Sequence, residues 1–171
     1  MTLAALSMPS TTPSTQARLR SLIAGILSER DEWWPTIRYD AEQRWYRRLA
    51  VRHHDAELDV EAWLLSWLPG QRTGLHDHGG ASGALAVVAG AVHEHSVQAG
   101  RSGPPRLLTV SRHAGQLRVF GEHHVHEIVN TRDEPAVSIH LYSPALTTMT
   151  RYRWTRRGPV VTSVERAGAD W

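Results

Sequence analysis

The sequence predicts a mainly β protein, in which a small antiparallel β-barrel carries N-terminal helices packed against it. After Arg44 the chain divides into short segments rich in β-branched and aromatic residues, separated by Gly, Pro and Asp. Many short strands of this kind are typical of antiparallel sandwiches and barrels. Before Arg44 lies a segment with helical periodicity. The 171 residues suffice for one domain with a sizeable core.

The N-terminal part is predicted to form a helical cap. Ser14 or Thr15 can cap a helix over 13–29, in which apolar residues recur at helical spacing. These residues are Leu19, Leu22, Ile23, Ile26 and Leu27. Trp33–Pro35 end this element, and a second short helix is expected over Tyr39–Gln43. We expect a mobile tail over 1–14 and a single domain over 15–171, with the cap over 15–43 and the barrel over 44–164.

The barrel strands are predicted from short apolar or alternating segments bounded by turn residues. In chain order they are Arg44–His53, Leu58–Leu68, Thr73–His78, Ala84–Ala89, Ala91–Gln98, Arg106–Ser111, Leu117–Phe120, His126–Thr131 and Pro135–Tyr142. The segment Val160–Val164 is compatible with a late edge strand. A barrel of this size can hold one ligand in its mouth.

Composition narrows the function classes. The absence of cysteine excludes disulfides and a thiol nucleophile, and it is compatible with the reducing cytoplasm in which we expect the protein. No apolar run is long enough to span a membrane, and the N-terminus lacks signal-peptide features. The net charge is only +2, and the basic residues are all arginine. We interpret the local cluster Arg151, Arg153, Arg156 and Arg157 as a solvated surface, not as a nucleic-acid contact.

The segment HDHGGASG, residues 76–83, indicates a metal site. On a strand, His76 and His78 project from one face, whereas Asp77 points to the other. A third ligand must come from elsewhere in the chain. A second HxH pair, His93 and His95, leads into a polar stretch, and we interpret it as a strand near an exposed hairpin without metal. His53, His54 and His113 are likewise predicted to lie at the surface.

Two regions together resemble the paired motifs of the cupin superfamily. The first runs from Gly70 through HDH to Gly90, and the second is GQLRVFGEHHVHEIVN, residues 115–130. The resemblance implies His76, His78 and His126 as metal ligands. The usual glutamate ligand is missing, because no acid follows the first pair before Glu94. Three neutral imidazoles alone are compatible with iron or zinc.

Three further stretches resemble the cysteine dioxygenase family within the cupins. They are RWYRRL (44–49), SWLPGQRTGLHDHGGASGAL (66–85) and NTRDEPAVSIHLYSP (130–144). The resemblance implies Fe(II) on the three histidines, Arg47 as the arginine that binds the substrate carboxylate, and Trp67 as an active-site tryptophan that contributes to substrate binding. It also implies a relay of Ser138, His140 and Tyr142, in which Tyr142 hydrogen-bonds the substrate.

The residues support these assignments independently. Ser138, His140 and Tyr142 alternate along one strand, so they share a face, which could be either a relay into a buried site or a solvent face. Alternation groups Arg47 with the apolar Trp45 and Leu49 and therefore predicts that Arg47 points inward, in preference to Arg48 or Arg44. A guanidinium in the barrel mouth would bind a carboxylate through two hydrogen bonds.

The implied activity is oxidation of L-cysteine by O2 to cysteine sulfinic acid, as a step of cysteine catabolism. The alternatives are a dioxygenase of 3-mercaptopropionate or another small thiol, and a non-catalytic cupin that binds a metal or a small molecule. Some family members cross-link a cysteine to the tyrosine, but Gly83 occupies that position here, so we expect Tyr142 to be an ordinary phenol. We expect a monomer or small homo-oligomer without nucleic-acid or membrane partners.

Overall fold

The structure is a computed structural model that describes residues 13–52, 55, 58–100 and 103–168. The expected tail up to residue 12 and the expected surface residues His53 and His54 lie outside these residues. Three helical elements come first: α1 (Thr15–Ser28), α2 (Arg30–Trp33) and a 3-10 turn (Trp34–Thr36). The strands are β1 (Tyr46–Leu49), β2 (Glu61–Trp67), β3 (Leu75–His76), β4 (Ser82–Ala89), β5 (Ala91–Gln98), β6 (Arg106–His113), β7 (Leu117–Phe120), β8 (His126–Val129), β9 (Ala136–Ser143), β10 (Thr148–Thr155) and β11 (Gly158–Arg166).

The described strands form two antiparallel sheets. One sheet has the order β1-β2-β9-β4-β7 and the other β11-β10-β3-β8-β5-β6. An apolar inner cluster joins the sheets, with Trp67 and Leu85 from the first and Val92 and Ile128 from the second. The mainly β fold class with an N-terminal helical cap is therefore confirmed.

A second, helix-side cluster covers the outer face of the first sheet. Ser14 Oγ accepts a hydrogen bond from the Ala17 N–H and caps α1. The buried stripe of this helix is Leu19, Leu22, Ile23 and Ile26. It packs on Leu64 of β2 and on Val137, Ile139 and Leu141 of β9. Strand β9 is consequently buried on both faces, and its polar alternate residues face the inner cluster instead of solvent.

The structure corrects one predicted element and adds one that the sequence did not indicate. Residues Tyr39–Gln43 are not helical, because Asp40 Oδ1 accepts the backbone N–H groups of Glu42 and Gln43 and forms a local turn. Strand β10 was not predicted, although it pairs with both β3 and β11. Because β10 contains many charged and polar residues, its sequence lacks the apolar pattern from which the other strands are predicted. No helix in the described part of the chain is long and apolar enough to cross a membrane.

Candidate metal centre and hydrogen-bond relay

Strand pairing brings His76, His78 and His126 together. His76 of β3 lies directly opposite His126 of β8, and His78 follows two residues after His76. One ring nitrogen from each residue lies within 4.8 Å of the others. All three side chains are buried, with at most 3% of their surface exposed. The three histidines that the sequence singled out can therefore act as ligands to a single ion.

The ring nitrogens of these histidines fit a bound metal. The backbone carbonyl of Gly74 lies 2.9 Å from His76 Nδ1, so it accepts the Nδ1 hydrogen and leaves the lone pair on Nε2. Neither ring nitrogen of His78, nor His126 Nε2, has a hydrogen-bond partner among the described residues. Buried polar atoms are rarely left unpaired, because their desolvation is then uncompensated. A metal ion on these nitrogens would remove that cost.

Burial keeps the three imidazoles neutral. Desolvation lowers the pKa of His76 and of His78 well below the ordinary value, and their neighbouring histidines lower it further. Desolvation also lowers the pKa of His126 to about 4, although its hydrogen bond with Glu94 opposes the shift. Neutral imidazole is the form that binds a metal. The ligand set is therefore in its binding form at neutral pH.

The turn that follows the first pair is held in place by Asp77. Its side chain points away from the three histidines and accepts hydrogen bonds from Tyr152 Oη at 2.6 Å and from the Thr150 N–H at 3.2 Å. Gly79 adopts a φ of +58°, and a Cβ there would lie 2.2 Å from Thr148 Oγ1. The turn therefore needs glycine both for its left-handed backbone and for its close approach to β10.

Gly83 is needed for packing against Phe120. The Phe120 ring stacks on His78 at 5.1 Å and on His124 at 4.7 Å. A Cβ on Gly83 would lie 2.4 Å from Phe120 Cζ and 2.9 Å from the Leu141 carbonyl oxygen. The family's cross-linking cysteine would not fit here unless Phe120 moved. The missing side chain thus makes space for Phe120, which packs against a candidate ligand.

A chain of buried hydrogen bonds leads through the first sheet to Tyr142. Trp67 Nε1 lies 2.8 Å from Ser138 Oγ, which lies 2.9 Å from His140 Nε2. His140 Nδ1 in turn lies 3.2 Å from Tyr142 Oη. The Tyr142 ring is tilted against His78, with 4.8 Å between ring centroids. The face that alternation predicted for Ser138, His140 and Tyr142 is thus buried and adjoins the three histidines.

The hydrogen bonds of this chain have a defined direction. An indole N–H only donates, so Ser138 Oγ accepts from Trp67. Ser138 is fully buried, and its hydroxyl hydrogen is satisfied when donated to His140 Nε2. Burial lowers the pKa of His140 to about 3, and the neutral ring then carries its hydrogen on Nδ1 and donates to Tyr142 Oη. Burial raises the pKa of Tyr142, so its O–H remains intact and can donate towards the histidines.

The expectation that Arg47 points into the barrel is wrong. Arg47 lies opposite Leu64, which belongs to the helix-side cluster, and it lines a surface cleft with Glu29, Glu32 and Trp33. Trp45 and Leu49 also pack against the helix-side cluster. The apolar set that we predict to face the barrel interior therefore faces the helix-side cluster.

Arg44 lies on the inner side, close to the relay. Its guanidinium carbon is 5.1 Å from the centre of the Trp67 ring, and its charge lowers the pKa of both His140 and Tyr142. Arg44 Nη1 donates to the Arg72 carbonyl, whereas the buried Nε has no partner among the described residues. Arg48 shares its strand face with Tyr46 but is 62% exposed and pairs with Glu61 at 3.6 Å. Of these three arginines, Arg44 is therefore the one that lies beside the relay.

An apolar recess adjoins Tyr142. It is lined by Tyr46, Trp63, Leu65, Tyr142, Leu146 and Met149. Trp63 Nε1 is buried there without a hydrogen-bond partner among the described residues. Trp67, by contrast, does not line this recess, because it lies fully buried behind Ser138. The recess therefore offers a small molecule an apolar wall beside Tyr142.

Sequence reasoning missed the role of Glu94. Its carboxylate is 1% exposed and contacts His124 and His126. Burial alone would raise the pKa of Glu94, but the hydrogen bonds from these histidines and the charge of Arg118 hold it well below its usual range. The alternation of β5 could have revealed it, since Glu94 projects to the opposite face from His93 and His95.

The second HxH pair and the arginine cluster have other partners. His93 contacts Thr131 Oγ1, and His95 Nδ1 lies 2.8 Å from Thr109 Oγ1. Arg151 donates to the Thr73 carbonyl at 2.9 Å and pairs with Glu165 at 2.7 Å. Arg151 thus links β10 to β11 and to the segment that precedes β3, instead of presenting a free charge.

Comparisons with known proteins place the chain in a family and a fold. A family model described as cysteine dioxygenase type I matches residues 13–155. No curated protein sequence matches the chain. Among solved structures, an oxalate oxidase in complex with the substrate analogue glycolate is 16% identical with a TM-score of 0.51, over 64% of this chain and 55% of that one. A conserved protein with a double-stranded β-helix domain from Klebsiella pneumoniae is 17% identical with a TM-score of 0.51, over 77% and 87% of the two chains. These two likenesses establish the cupin fold.

Proposed function

Since this chain belongs to the cysteine dioxygenase type I family, we propose that it is an iron(II)-dependent dioxygenase that converts L-cysteine to cysteine sulfinic acid. The observation that carries this proposal is the buried relay from Trp67 to Tyr142, which ends beside the three histidines, where His78 and His126 have unpaired ring nitrogens. A cupin that only bound a metal would not need a polarised donor at that position.

Iron(II) on His76, His78 and His126 would supply the redox chemistry that lets dioxygen react with a thiolate sulfur. The histidines are neutral, so an anionic substrate offsets the charge of the ion. The overall reaction, RSH + O2 → RSO2H, places both oxygen atoms on sulfur and needs no further reductant. This balance is consistent with the absence of a dinucleotide-binding glycine motif in the sequence.

The side chains around the centre have separate tasks in this proposal. Tyr142 donates its O–H to the substrate, and its orientation is set by His140 and Ser138 behind it. Arg44, whose guanidinium lies beside the Trp67 ring, binds the substrate carboxylate, a role that replaces the one expected for Arg47. Phe120 and Trp67 exclude water from the histidines and the relay, because both are buried against them.

The carboxylate partner also favours a substrate class. An arginine would bind the carboxylate of any thiol acid, so it does not by itself distinguish cysteine from 3-mercaptopropionate. We place cysteine first, because the matched family is that of cysteine dioxygenase. Such a reaction would serve cysteine catabolism in the cytoplasm.

Oxygen uptake tests the proposal. Protein of measured iron content is supplied in turn with cysteine, 3-mercaptopropionate and cysteamine, and sulfinate is quantified. We expect stoichiometric oxygen uptake and sulfinate formation, fastest with cysteine. A higher kcat/KM for 3-mercaptopropionate would reassign the substrate. No uptake with any of the thiols by the iron-loaded protein would refute the dioxygenase proposal.

A further inference from the structure

We propose that Glu94 is a positioning residue of the metal centre, a buried anion that orients His126 and strengthens its electron donation to the ion. The inference rests on the metal site of the proposed function. Glu94 Oε1 lies 3.2 Å from His126 Nδ1 and 3.0 Å from His124 Nε2. Strand pairing sets this contact, because β5 runs beside β8 and places Ser96 opposite His126.

The contact fixes the tautomer of His126. An ionised carboxylate only accepts hydrogen bonds, so His126 must carry its hydrogen on Nδ1. The lone pair then lies on Nε2, the nitrogen that has no partner among the described residues. Glu94 thus holds the ring in the form and orientation that a metal needs. A carboxylate in this position also makes the ligating nitrogen more basic.

The three candidate ligands are therefore unequal. His76 donates to a neutral backbone carbonyl, that of Gly74. His78 has no hydrogen-bond partner among the described residues. Within the described part of the chain, only His126 is paired with an anion, so it is the strongest donor of the three. The carboxylate that the cupin motif supplies as a direct metal ligand is absent here. Glu94 instead places a negative charge against His126, on the side of the ring away from the metal site.

Ion pairs with two arginines prevent Glu94 from binding a metal ion directly. Arg112 contacts Oε2 through Nη2 at 2.7 Å and Nε at 2.9 Å, and Arg118 Nε lies 3.2 Å from Oε1. Glu94, His124 and His126 lie close enough together to bind a second ion. However, a cation there would face both guanidinium groups. Rotation of Glu94 into the first coordination shell would leave both arginines without their partner.

Opposite charge changes in this cluster provide the test. Each variant is loaded anaerobically with iron(II) and kept free of thiol, and the Fe(III)/Fe(II) midpoint potential is measured by spectroelectrochemistry. Glu94→Gln removes the anion and is expected to raise the potential, because the more positive site favours Fe(II). Arg112→Gln removes a cation and is expected to lower the potential. We also expect Glu94→Gln to weaken iron(II) binding by about 10- to 100-fold in chelator competition.

A merely structural role would not give shifts of opposite sign. Shifts in the same direction, or an unchanged potential in Glu94→Gln, would overturn the inference. If Glu94→Gln does not fold, the double variant with Arg112→Gln preserves the net charge of the cluster, and its potential should lie above that of Arg112→Gln alone. A failure of thiol oxidation would leave these readouts measurable, so this inference and the proposed function can fail separately.

Discussion

The indole N–H of Trp67 donates a hydrogen bond to Ser138 Oγ over 2.8 Å, within a region that is fully buried. This contact begins the chain of donors that ends at the Tyr142 hydroxyl. Since indole cannot accept a hydrogen bond, it excludes an arrangement in which Ser138 donates its hydrogen to Trp67. Trp67, for which the resemblance implies a contact with substrate, thus lies at the opposite end of the relay from Tyr142.

Trp67→Phe should weaken catalysis without changing the ligands. The ring remains, but Ser138 can then rotate its hydroxyl hydrogen away from His140. We expect kcat per iron to fall about five- to tenfold, the equivalent of one buried hydrogen bond, with KM little changed. Tyr142→Phe removes the terminal donor itself and should lower kcat on the order of 100-fold. Trp34→Phe, outside the barrel, is the matched control, and an equal loss there would contradict the relay.

The arginine assignment predicts a selective loss of substrate binding. Arg44→Gln should raise KM for cysteine by about 10-fold or more, because it removes a charge-assisted contact to the carboxylate. KM for cysteamine, which lacks a carboxylate, should change little. Arg47→Gln is the control, since Arg47 lies on the helix-covered face. If Arg47→Gln raised KM for cysteine and Arg44→Gln did not, the carboxylate would bind to Arg47 and the assignment of Arg44 would be wrong.

Metal binding should depend on one HxH pair and not on the other. Iron(II) at about 100 times its Kd should stabilise the protein by about 2.7 kcal/mol, because it binds the folded state. His76→Ala should abolish this stabilisation. His93→Ala should retain it, since His93 faces Thr131. Thermal melts of both variants with and without the ion give the comparison. Loss of the metal effect in His93→Ala would count against the assigned ligands.

Gly83→Ala should disturb the metal centre through Phe120. The added Cβ collides with the Phe120 ring, which is held between His78 and His124. We expect a loss of about 1–3 kcal/mol in unfolding free energy, as in other overpacked cores, together with weaker iron binding. Gly121→Ala is the control, because a Cβ added at Gly121 meets no close neighbour. Apart from the two residues next to it in sequence, the nearest atom is Gln16 Nε2, at 3.8 Å. Equal effects of the two substitutions would argue against the packing explanation.

His140 should make stability depend on pH in mildly acidic solution. Its pKa falls from 6.5 to about 3 on folding, so the unfolded chain binds the proton more readily between these values. The stabilisation is complete above pH 6.5 and is lost as the pH falls towards 3, with a slope of about 1.4 kcal/mol per pH unit. Denaturant unfolding at pH 7 and pH 5 should therefore differ less in His140→Gln than in the natural protein. An unchanged difference would show that folding does not lower the pKa of His140.

Much of the fold and of the site follows from short-range patterns in the chain. Apolar periodicity identifies α1, and turn residues delimit β5 and β7 at their observed bounds. Alternation places His76 with His78, and Ser138 with Tyr142, because a strand always sends alternate side chains to one face. The motif spacing supplies His126, which strand pairing then sets opposite His76.

Alternation alone, however, does not say which face of a strand meets which core. Arg47 was predicted to point inward because its face is apolar, yet that face packs under the helices, and Arg44 lies beside the relay. From the sequence we assign Glu94, which lies between His93 and His95, no function. The pairing of β5 with β8, however, buries it against His126. When both faces of a strand are covered, the alternation of its residues does not show which face points towards the barrel interior. Only the packing of helices and sheets around it decides which residues reach the metal centre.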